Sequence, residues 1–432
     1  MFGKRSVADT IGFMYGNVMV FAITDLLGNF ARGLVFPYAS LYVLALGGDV
    51  TQVGWVNFVA PVAGLVVFPV AGYVSDHVNR VKLIVAGGLY SVLTLLLYVL
   101  APSWQVIAMA GLLSGFGVFL FPAQSSLIAD SLSPENRGKG IAWMNTISST
   151  LAIVAPFVAG VVVERYGANT GVRILYGVML GLYLCGTLIQ VRFLKEPRPL
   201  PVEHLSLDDL LAVLKAAYRS IPATVKRFPV PLKALTIVVI LSFMANGVAG
   251  PFWVVFAVEQ LGLSPAQWGT ILLIESLLKV LLFVPAGLLV DRWGRTRSLL
   301  LALILSLVSV PLFVFVQGFA AVLAIRIVAA AAFTLAIPAC TALMADIVPR
   351  EMRGRVMALV GQGGIMLGPA GGGTGGPAMG FLVIVPLMLA SLLGGYLCAL
   401  NPAYPWYFVL VATVAMIVVT GLFVRDPRDA EV

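Results

Sequence analysis

The chain has 432 residues, of which 60% are hydrophobic and only 11% charged, and its mean hydropathy is +1.02. A soluble domain carries roughly 25% charged residues because it must wet its surface. This composition excludes an ordinary soluble globular protein and indicates a chain surrounded by the lipid bilayer. We attribute the formal net charge of +8 to contact with anionic lipid, and we expect no nucleic-acid site.

Apolar runs long enough to cross a bilayer recur along the whole chain. A hydrocarbon core of ~30 Å takes about 20 apolar residues in a helix. None of the runs alternates as a transmembrane β-strand does, so the predicted fold class is an all-α membrane protein with twelve transmembrane helices. The predicted spans are 14–45, 51–74, 83–101, 104–129, 141–163, 172–194, 234–262, 268–290, 299–317, 319–345, 378–399 and 404–424.

The basic residues indicate how these spans are oriented. If the amino terminus is cytoplasmic, 22 of the 27 Lys and Arg residues lie in inner loops or termini, and only Arg165 and Arg173 lie outside. Inner loops of membrane proteins are enriched in basic residues. We therefore predict a multi-pass protein of the cell membrane with both termini in the cytoplasm. The first apolar run contains Asp25 and Arg32 and lacks a small-residue cleavage pattern, so it is not expected to be a cleaved signal.

A polar, proline-rich stretch divides the chain near its middle. It predicts an amino-terminal six-helix bundle over residues 1–194, a cytoplasmic linker over 195–233 and a carboxyl-terminal six-helix bundle over 234–432. Within the linker, Ser206 and Asp209 have capping-box spacing and leucines follow at helical spacing. We expect an amphipathic helix on the inner membrane surface, with an ordinary solvated helix as the alternative.

Two motifs recur in register between the halves. Gly72-Tyr-Val-Ser-Asp-His-Val-Asn-Arg-Val-Lys82 is matched 215 residues later by Gly287-Leu-Leu-Val-Asp-Arg-Trp-Gly-Arg-Thr-Arg297. The pair Asp130 and Arg137 is matched 216 residues later by Asp346 and Arg353. Six helices return the chain to the same side, so the halves are related by a parallel repeat.

These motifs resemble the signature of the major facilitator superfamily. The second copy matches fully, whereas the first has His77 where Arg is usual and Asn79 where Gly is usual. Asn tolerates positive φ better than other residues with a side chain, so we expect the turn at Asn79 to survive. The resemblance implies two pseudo-symmetric six-helix bundles that transport a small molecule by alternating access.

The same resemblance implies a cytoplasmic gate at the motifs. In proteins of this family the motif aspartate makes contacts between the halves and breaks them as the cavity opens inward. The alternative is that the basic residues only anchor the loops at the inner surface. The implied gate residues are Gly72, Asp76, Arg80, Asp130, Arg137, Gly287, Asp291, Arg292, Gly294, Arg295, Asp346 and Arg353.

The first helix carries two of the five charged residues that lie within the spans and away from their ends, which are Asp25, Arg32, Glu275, Lys279 and Arg326. A charge at the centre of a membrane helix costs ~2.5–3.5 kcal/mol or more, so each should face a cavity or a partner. Asp25, Asn29 and Arg32 are spaced i, i+4 and i+7, which places them on one stripe of the helix. We predict a proton or substrate site there, with Asp25 as the group that exchanges the proton.

The other three ionisable residues lie in the second half. Glu275 and Lys279 have the favourable i, i+4 order, and they form either part of the site or a self-satisfied buried pair. Arg326 either binds an anionic substrate or neutralises Glu275 or Asp25. A further candidate is Asn246, which together with Phe243, Phe252 and Trp253 forms either a cavity wall for an apolar ligand or ordinary core packing.

The predicted function is proton-coupled export of a lipophilic or amphipathic small molecule, by resemblance to the exporter branch of the family. Two departures weigh against that branch: Ala110 replaces an arginine common in such exporters, and Ala155-Pro156 replaces their Gly-Pro pair. The alternatives are a uniporter or symporter of a polar solute, such as a sugar or an organic anion held by Arg32 and Arg326, and a non-transporting membrane sensor. No nucleophile–base set, cofactor motif or metal-ligand spacing is present, so we expect neither an enzyme nor a cofactor. We also expect the protein to be a monomer.

The segment 361–377 is unusual because nine of its residues are glycine. The family pattern runs from Arg353 directly into the eleventh helix. We predict a short helix at the inner surface, a glycine loop and then the eleventh helix from about 378, with a broken re-entrant helix as the alternative.

Overall fold

The computed structural model describes residues 15–197, 206–361, 363–367 and 380–426. Eleven helical stretches within these ranges are long and apolar enough to cross a membrane. One of them, Arg137–Phe193, contains two helices that meet at Gly167, where φ is 77°. The described residues therefore contain twelve spans, which confirms the predicted fold class.

The membrane helices are numbered in chain order. They are α1 (Asn17–Ala45), α2 (Val50–Val59 and Val62–His77), α3 (Arg80–Leu100), α4 (Trp104–Ser131), α5 and α6 (the parts of Arg137–Phe193 before and after Gly167), α7 (Val230–Glu259), α8 (Pro265–Trp293), α9 (Arg295–Leu312), α10 (Phe319–Ile347), α11 (Phe381–Leu400) and α12 (Tyr404–Phe423). A linker helix (Leu207–Lys226) and a short helix (Arg353–Val360) complete the set.

We call the two ends of the helix bundle the terminal side and the far side. On the terminal side, where α1 begins and α6 ends, the Asn17 side chain donates hydrogen bonds to the Lys195 carbonyl (2.7 Å) and the Ser131 hydroxyl (3.0 Å). The far side is the opposite end, with the turns at 46–49, 101–103, 260–264, 313–318 and 401–403. The basic loops lie on the terminal side, which is the side predicted to be cytoplasmic.

Cysteine labelling tests that orientation. In a Cys185→Ser background, cysteines at Pro102 and Gln260 on the far side should react with an impermeant thiol reagent applied to intact cells. Cysteines at Ser133 and Ser206 on the terminal side should react only after the membrane is opened. All four positions are accessible in the structure or partly so, and Cys185 is the exposed native cysteine. Labelling of the terminal-side pair in intact cells would contradict the predicted orientation.

The two copies of the repeated motif cap the helix that follows by different means. Asn79 has φ −62°, and its side chain accepts a hydrogen bond from the Lys82 amide (2.9 Å) at the start of α3. The turn is therefore kept, as expected, but without positive φ, because Asn79 acts as an ordinary N-cap. Gly294 has φ 94°, and there the Asp426 carboxylate accepts from the Thr296 amide (2.9 Å) at the start of α9.

The linker contains the helix that its leucine spacing predicted. Ser206 caps it by accepting a hydrogen bond from the Asp209 amide (3.1 Å). Tyr218 attaches it to the bundle, because its hydroxyl donates to the Leu65 carbonyl (3.0 Å) and its ring packs edge-on against Phe381. Contact of this helix with the membrane surface stays a prediction, as do the boundaries at 194 and 233.

The predicted short helix after Arg353 is present, and α11 begins at Phe381. Of the glycine-rich segment, residues 362 and 368–379 lie outside the described residues. The described part, 363–367, is not a free surface loop: Ile365 is fully buried and the Met366 amide donates to the Ser242 hydroxyl (3.3 Å) of α7. Gly363, at φ 79°, lies against Cys340 and Met344 of α10, where a side chain would collide. Glycine thus allows this segment to enter the carboxyl half.

Candidate functional site

The two halves cross closely on the far side, where α5 meets α8. A Cβ atom at Gly269 would lie 2.5 Å from the Pro156 carbonyl oxygen and 2.8 Å from the Tyr38 hydroxyl. Gly160 lies equally close to the first residues of α8. The Tyr38 hydroxyl is within hydrogen-bond distance of the carbonyl oxygens of Pro156 (3.1 Å) and Pro265 (2.9 Å). Only glycine at these two positions allows the helices to approach so closely.

Two further contacts join the halves on this side. Glu164 of α5 accepts hydrogen bonds from the Ser264 hydroxyl (2.6 Å) and the Ala266 amide (2.9 Å), so one half caps the first turn of α8 in the other. Gly54 of α2 and Gly395 of α11 also meet, since a Cβ at Gly54 would lie 3.0 Å from Gly395. The far side is therefore closed.

Four glycines on the terminal side, two in the repeated motifs and two directly after Arg137 and Arg353, are in open space. Gly72, Gly138, Gly287 and Gly354 have nothing within 4 Å of the place that a Cβ atom would take, apart from their own helix backbone and chain neighbours. The halves are thus packed together on the far side, and no comparable close contact forms at these four terminal-side glycines.

A bulky residue at the far-side crossing should prevent closure. Gly269→Leu places its side chain where the Pro156 carbonyl and Tyr38 hydroxyl lie, so the far side should remain open. Ser40, which lines the space between the halves, then becomes accessible: a cysteine at Ser40 should react at least about tenfold faster with a far-side thiol reagent. Gly181→Leu on α6 is the matched control, because nothing lies within 4 Å of that position. Equal labelling rates in the two variants would show that the crossing does not control access.

A cavity of about 220 Å³ lies between the halves beneath this closed end. Helix α1 contributes Phe36, Pro37 and Ser40, α5 contributes Pro156, and α7 and α8 supply the rest of the wall. Most of the lining residues are apolar or aromatic, and two hydroxyls and one charged pair add polar surface. That combination is typical of a pocket for a small organic ligand.

The charged pair belongs to a buried cluster on α8 and α10. Glu275 is 3% exposed, and one of its carboxylate oxygens lies 2.6 Å from the Lys279 ammonium. Its other oxygen is paired with the fully buried Arg326 of α10. The Arg326 guanidinium stacks over the rings of Trp253 (5.1 Å) and Trp268 (5.7 Å), which line the cavity. Of the partners considered for Arg326, the one in contact is Glu275.

The polar residues predicted on α1 contact two different neighbouring helices, α4 and α6. Asp25 accepts a hydrogen bond from Gln124 of α4 (3.0 Å), and it forms no ion pair with any described residue. Arg32 donates to the Asn29 side chain (2.6 Å) and the Tyr183 hydroxyl of α6 (2.9 Å). All three residues of the predicted stripe are partly exposed. A carboxylate in such a position can take up a proton without leaving a cation unpaired.

The repeated motifs form the same ion pair in each half. Arg80 binds Asp130 (2.6 Å) and lies 3.8 Å from Asp76, and Arg295 binds Asp346. Arg137 and Arg353 each donate to a carbonyl at the end of the preceding helix, Ala129 (3.0 Å) and Ala345 (3.2 Å). The motif acid Asp76 is 68% exposed, while Asp291 and Arg292 are exposed and form no ion pair with the described residues. These pairs lie within each half and do not join the halves.

The profile of the Major Facilitator Superfamily matches residues 21–232 and 235–432, which is nearly the whole chain. The chain belongs to the Major Facilitator Superfamily. It is 26% identical over 400 residues to Multidrug resistance protein 2 of Bacillus subtilis (strain 168), covering 90% of each chain. It is 23% identical over 394 residues to Multidrug resistance protein 1 of the same organism, covering 90% of this chain and 91% of the relative.

Solved structures of this superfamily share the fold at low identity. A mutant of the nucleoside transporter NupG aligns with a TM-score of 0.67 at 15% identity, over 94% of this chain and 98% of that one. A bacterial homolog to the human lysosomal transporter Spinster, inward-facing and unoccupied, also gives 0.67, at 14% identity over 96% and 98%. The likeness shows that the chain has the fold of these structures, with two pseudo-symmetric halves.

Asn246, predicted from the sequence as a site residue, lies apart from the cavity between the halves. Asn246 lines a separate space of about 10 Å³ inside the carboxyl half, and its side-chain oxygen has no hydrogen-bond partner among the described residues. Trp253, read from sequence as cavity wall or core, lines both spaces. Gln124 and Tyr183 were not predicted as site residues. An uncharged polar residue is common in membrane helices and does not mark a site as a charged residue does.

Proposed function

We propose that this transporter exports a lipophilic or amphipathic small molecule from the cytoplasm in exchange for protons, by alternating access. The observation that carries the proposal is the cavity between the halves, closed on the far side by α5 and α8. With the terminal side in the cytoplasm, this is the state in which an exporter receives its cargo.

The cavity wall supports the lipophilic part of the proposal. Trp253, Trp268 and Phe36 supply aromatic surface, and Ser40 and Ser276 supply hydroxyls. The superfamily relatives named multidrug resistance proteins are consistent with export. A sugar would need many more hydrogen-bond partners than this wall offers, which weighs against the polar-solute alternative.

Asp25 supports the proton part. Asp25 is the one acidic residue of α1, and its hydrogen-bond partner is the neutral side-chain amide of Gln124. Glu275, in contrast, is held between two cations. We therefore assign proton exchange to Asp25 and propose that Glu275 stays ionised throughout transport.

Transport in vesicles tests the function as a whole. In inside-out vesicles with an acidic lumen, an exporter of this kind moves cargo into the lumen as protons leave. A fluorescent lipophilic probe should accumulate in proportion to the pH gradient, and a protonophore should abolish the accumulation. Probe movement that only equilibrates, with or without the protonophore, would instead identify a uniporter.

The repeated motifs are proposed as the cytoplasmic gate, in which Asp76 and Asp291 hold the halves together when the terminal side closes. Asp76→Asn and Asp291→Asn should each shift the balance toward the terminal-open state. Contacts of this kind contribute about 1 kcal/mol or somewhat more, so the ratio of states should change roughly tenfold. Spin labels at Ser133 and Arg350 report the distance between the halves, and Asp208→Asn on the linker helix is the control. Unchanged distances in both gate variants would refute this role.

A further inference from the structure

The buried cluster on α8 and α10 has more positive than negative charge. Its one acid, Glu275, has both carboxylate oxygens occupied, one by Lys279 and the other by Arg326. Two cations against one carboxylate leave a surplus of one positive charge. In a region of low dielectric, such a charge is costly unless a counter-ion compensates it.

The two cations have different positions. Arg326 is fully buried beneath the rings of Trp253 and Trp268, and it reaches Glu275 through one terminal nitrogen. Its other two nitrogens have no hydrogen-bond partner among the described residues. Lys279 is 25% exposed and lines the cavity. Both cations thus pair with Glu275, and Lys279 is the one of the two that faces the cavity.

Besides Glu275, the Lys279 ammonium lies over the face of the Phe333 ring (4.4 Å), which attracts a cation but carries no net charge. Apart from Glu275 and Lys279, the wall consists of apolar, aromatic and hydroxyl-bearing residues. In the other half, Asp25 and Arg32 balance each other in number, and neither lines the cavity. An anionic ligand in the cavity would supply the compensating charge.

We propose that the cargo is a small lipophilic carboxylate whose anionic group binds Lys279. This inference rests on the proposed transport function and names its substrate class. As the anion arrives, Lys279 turns from Glu275 toward it, while Arg326 keeps Glu275 paired. A dry cavity of ~150 Å³ holds benzene, so about 220 Å³ takes one aromatic ring with a carboxylate. A cationic cargo would meet a like charge and an acid that is already paired twice.

Three probes of nearly the same shape test the charge preference: benzoate, benzamide and benzamidinium. Binding to the purified full-length protein is measured by quenching of tryptophan fluorescence at about pH 8, where carboxylic acids are ionised. Benzoate should bind at least about tenfold more tightly than benzamide, and benzamidinium should bind most weakly. Lys279→Gln should abolish the preference for benzoate, and Lys279→Arg should retain it. Lys215→Gln is the matched control, because Lys215 lies exposed on the linker helix, away from the cavity, and its substitution should leave the preference for benzoate unchanged.

The outcomes separate the substrate class from the transport function. Equal binding of the three probes, tighter binding of benzamidinium, or a benzoate preference that survives Lys279→Gln would overturn the inference. Proton-driven transport of benzamide or benzamidinium in preference to benzoate would overturn the inference and leave the exporter proposal standing. Benzoate that binds through Lys279 but is not moved by a pH gradient would uphold the inference and overturn proton-coupled export.

Discussion

Replacing Asp25 by Asn is expected to abolish accumulation driven by a pH gradient. With the membrane potential clamped at zero and one proton exchanged per cargo, a gradient of one pH unit supports about tenfold accumulation. Asn keeps the size of Asp25 and its hydrogen bond with Gln124 but cannot take up a proton, so the ratio should fall to one. Exchange of cargo down its own gradient should continue. Both rates are measured in proteoliposomes with the same probe.

Asp49→Asn is the matched control, because Asp49 lies outside the spans and caps the start of α2 on the far side. Its accumulation ratio should equal that of the unaltered protein. If Asp25→Asn loses exchange as well as accumulation, Asp25 is a cargo ligand and does not couple the proton. If accumulation survives, the proton binds elsewhere or the protein is a uniporter.

Replacing Glu275 by Leu is expected to destabilise the fold strongly. The substitution leaves Arg326 fully buried without its counter-ion, and breaking a buried pair in this way costs ~3–5 kcal/mol. The melting temperature in detergent should fall by several degrees or more. The double variant Glu275→Leu, Arg326→Leu should recover most of the loss, because apolar residues of similar volume can replace a buried ion pair at little cost.

Glu259→Leu is the matched control, because Glu259 is an exposed acid at the far-side end of α7. Exposed substitutions usually change stability by less than about 0.5 kcal/mol. A single Glu275 variant as stable as this control would show that Arg326 is compensated by another group. A double variant no more stable than the single one would show that the packing of Arg326 on Trp253 and Trp268 matters more than its charge.

The spans and the repeat could be predicted from sequence because each depends on a local pattern. The length of an apolar run shows directly whether it can cross a membrane. The two motifs recur in the second half after nearly the same number of residues, 215 and 216. The ends of helices were less predictable. Helix α9 ends at Leu312 and not at 317, since Pro311 limits the hydrogen bonding of its last turn.

The partners within the site were harder to predict. Arg326 had three plausible roles in the sequence, and only the packing of α8 against α10 selects Glu275. Asp25 and Gln124 are 99 residues apart, and Arg32 and Tyr183 are 151 apart. Pairings of this kind depend on which helices are neighbours, and a single sequence holds no record of that for uncharged residues.

Close packing between the halves was also missed, although its glycines are visible in the sequence. Gly160 and Gly269 resemble any other glycine of a membrane helix until the opposing backbone is placed against them. The chain has 44 glycines, and many, such as Gly177 and Gly181, have open space around them. Only the three-dimensional arrangement separates a glycine that permits a contact from one that does not.

In the proposed transport cycle, the surplus charge within the membrane would make transport sensitive to voltage. Moving one elementary charge through the full field is worth about 2.3 kcal/mol per 100 mV, and a fraction of that if the charge crosses part of the field. In the proposed cycle the empty carrier returns with Asp25 protonated, so its five side chains deep within the membrane sum to two positive charges. An interior-negative potential then favours the state in which this charge communicates with the cytoplasm, which is the state proposed to receive cargo. Once Asp25 has released its proton and a carboxylate is bound, the sum is zero, and the loaded carrier can reorient with no electrical work.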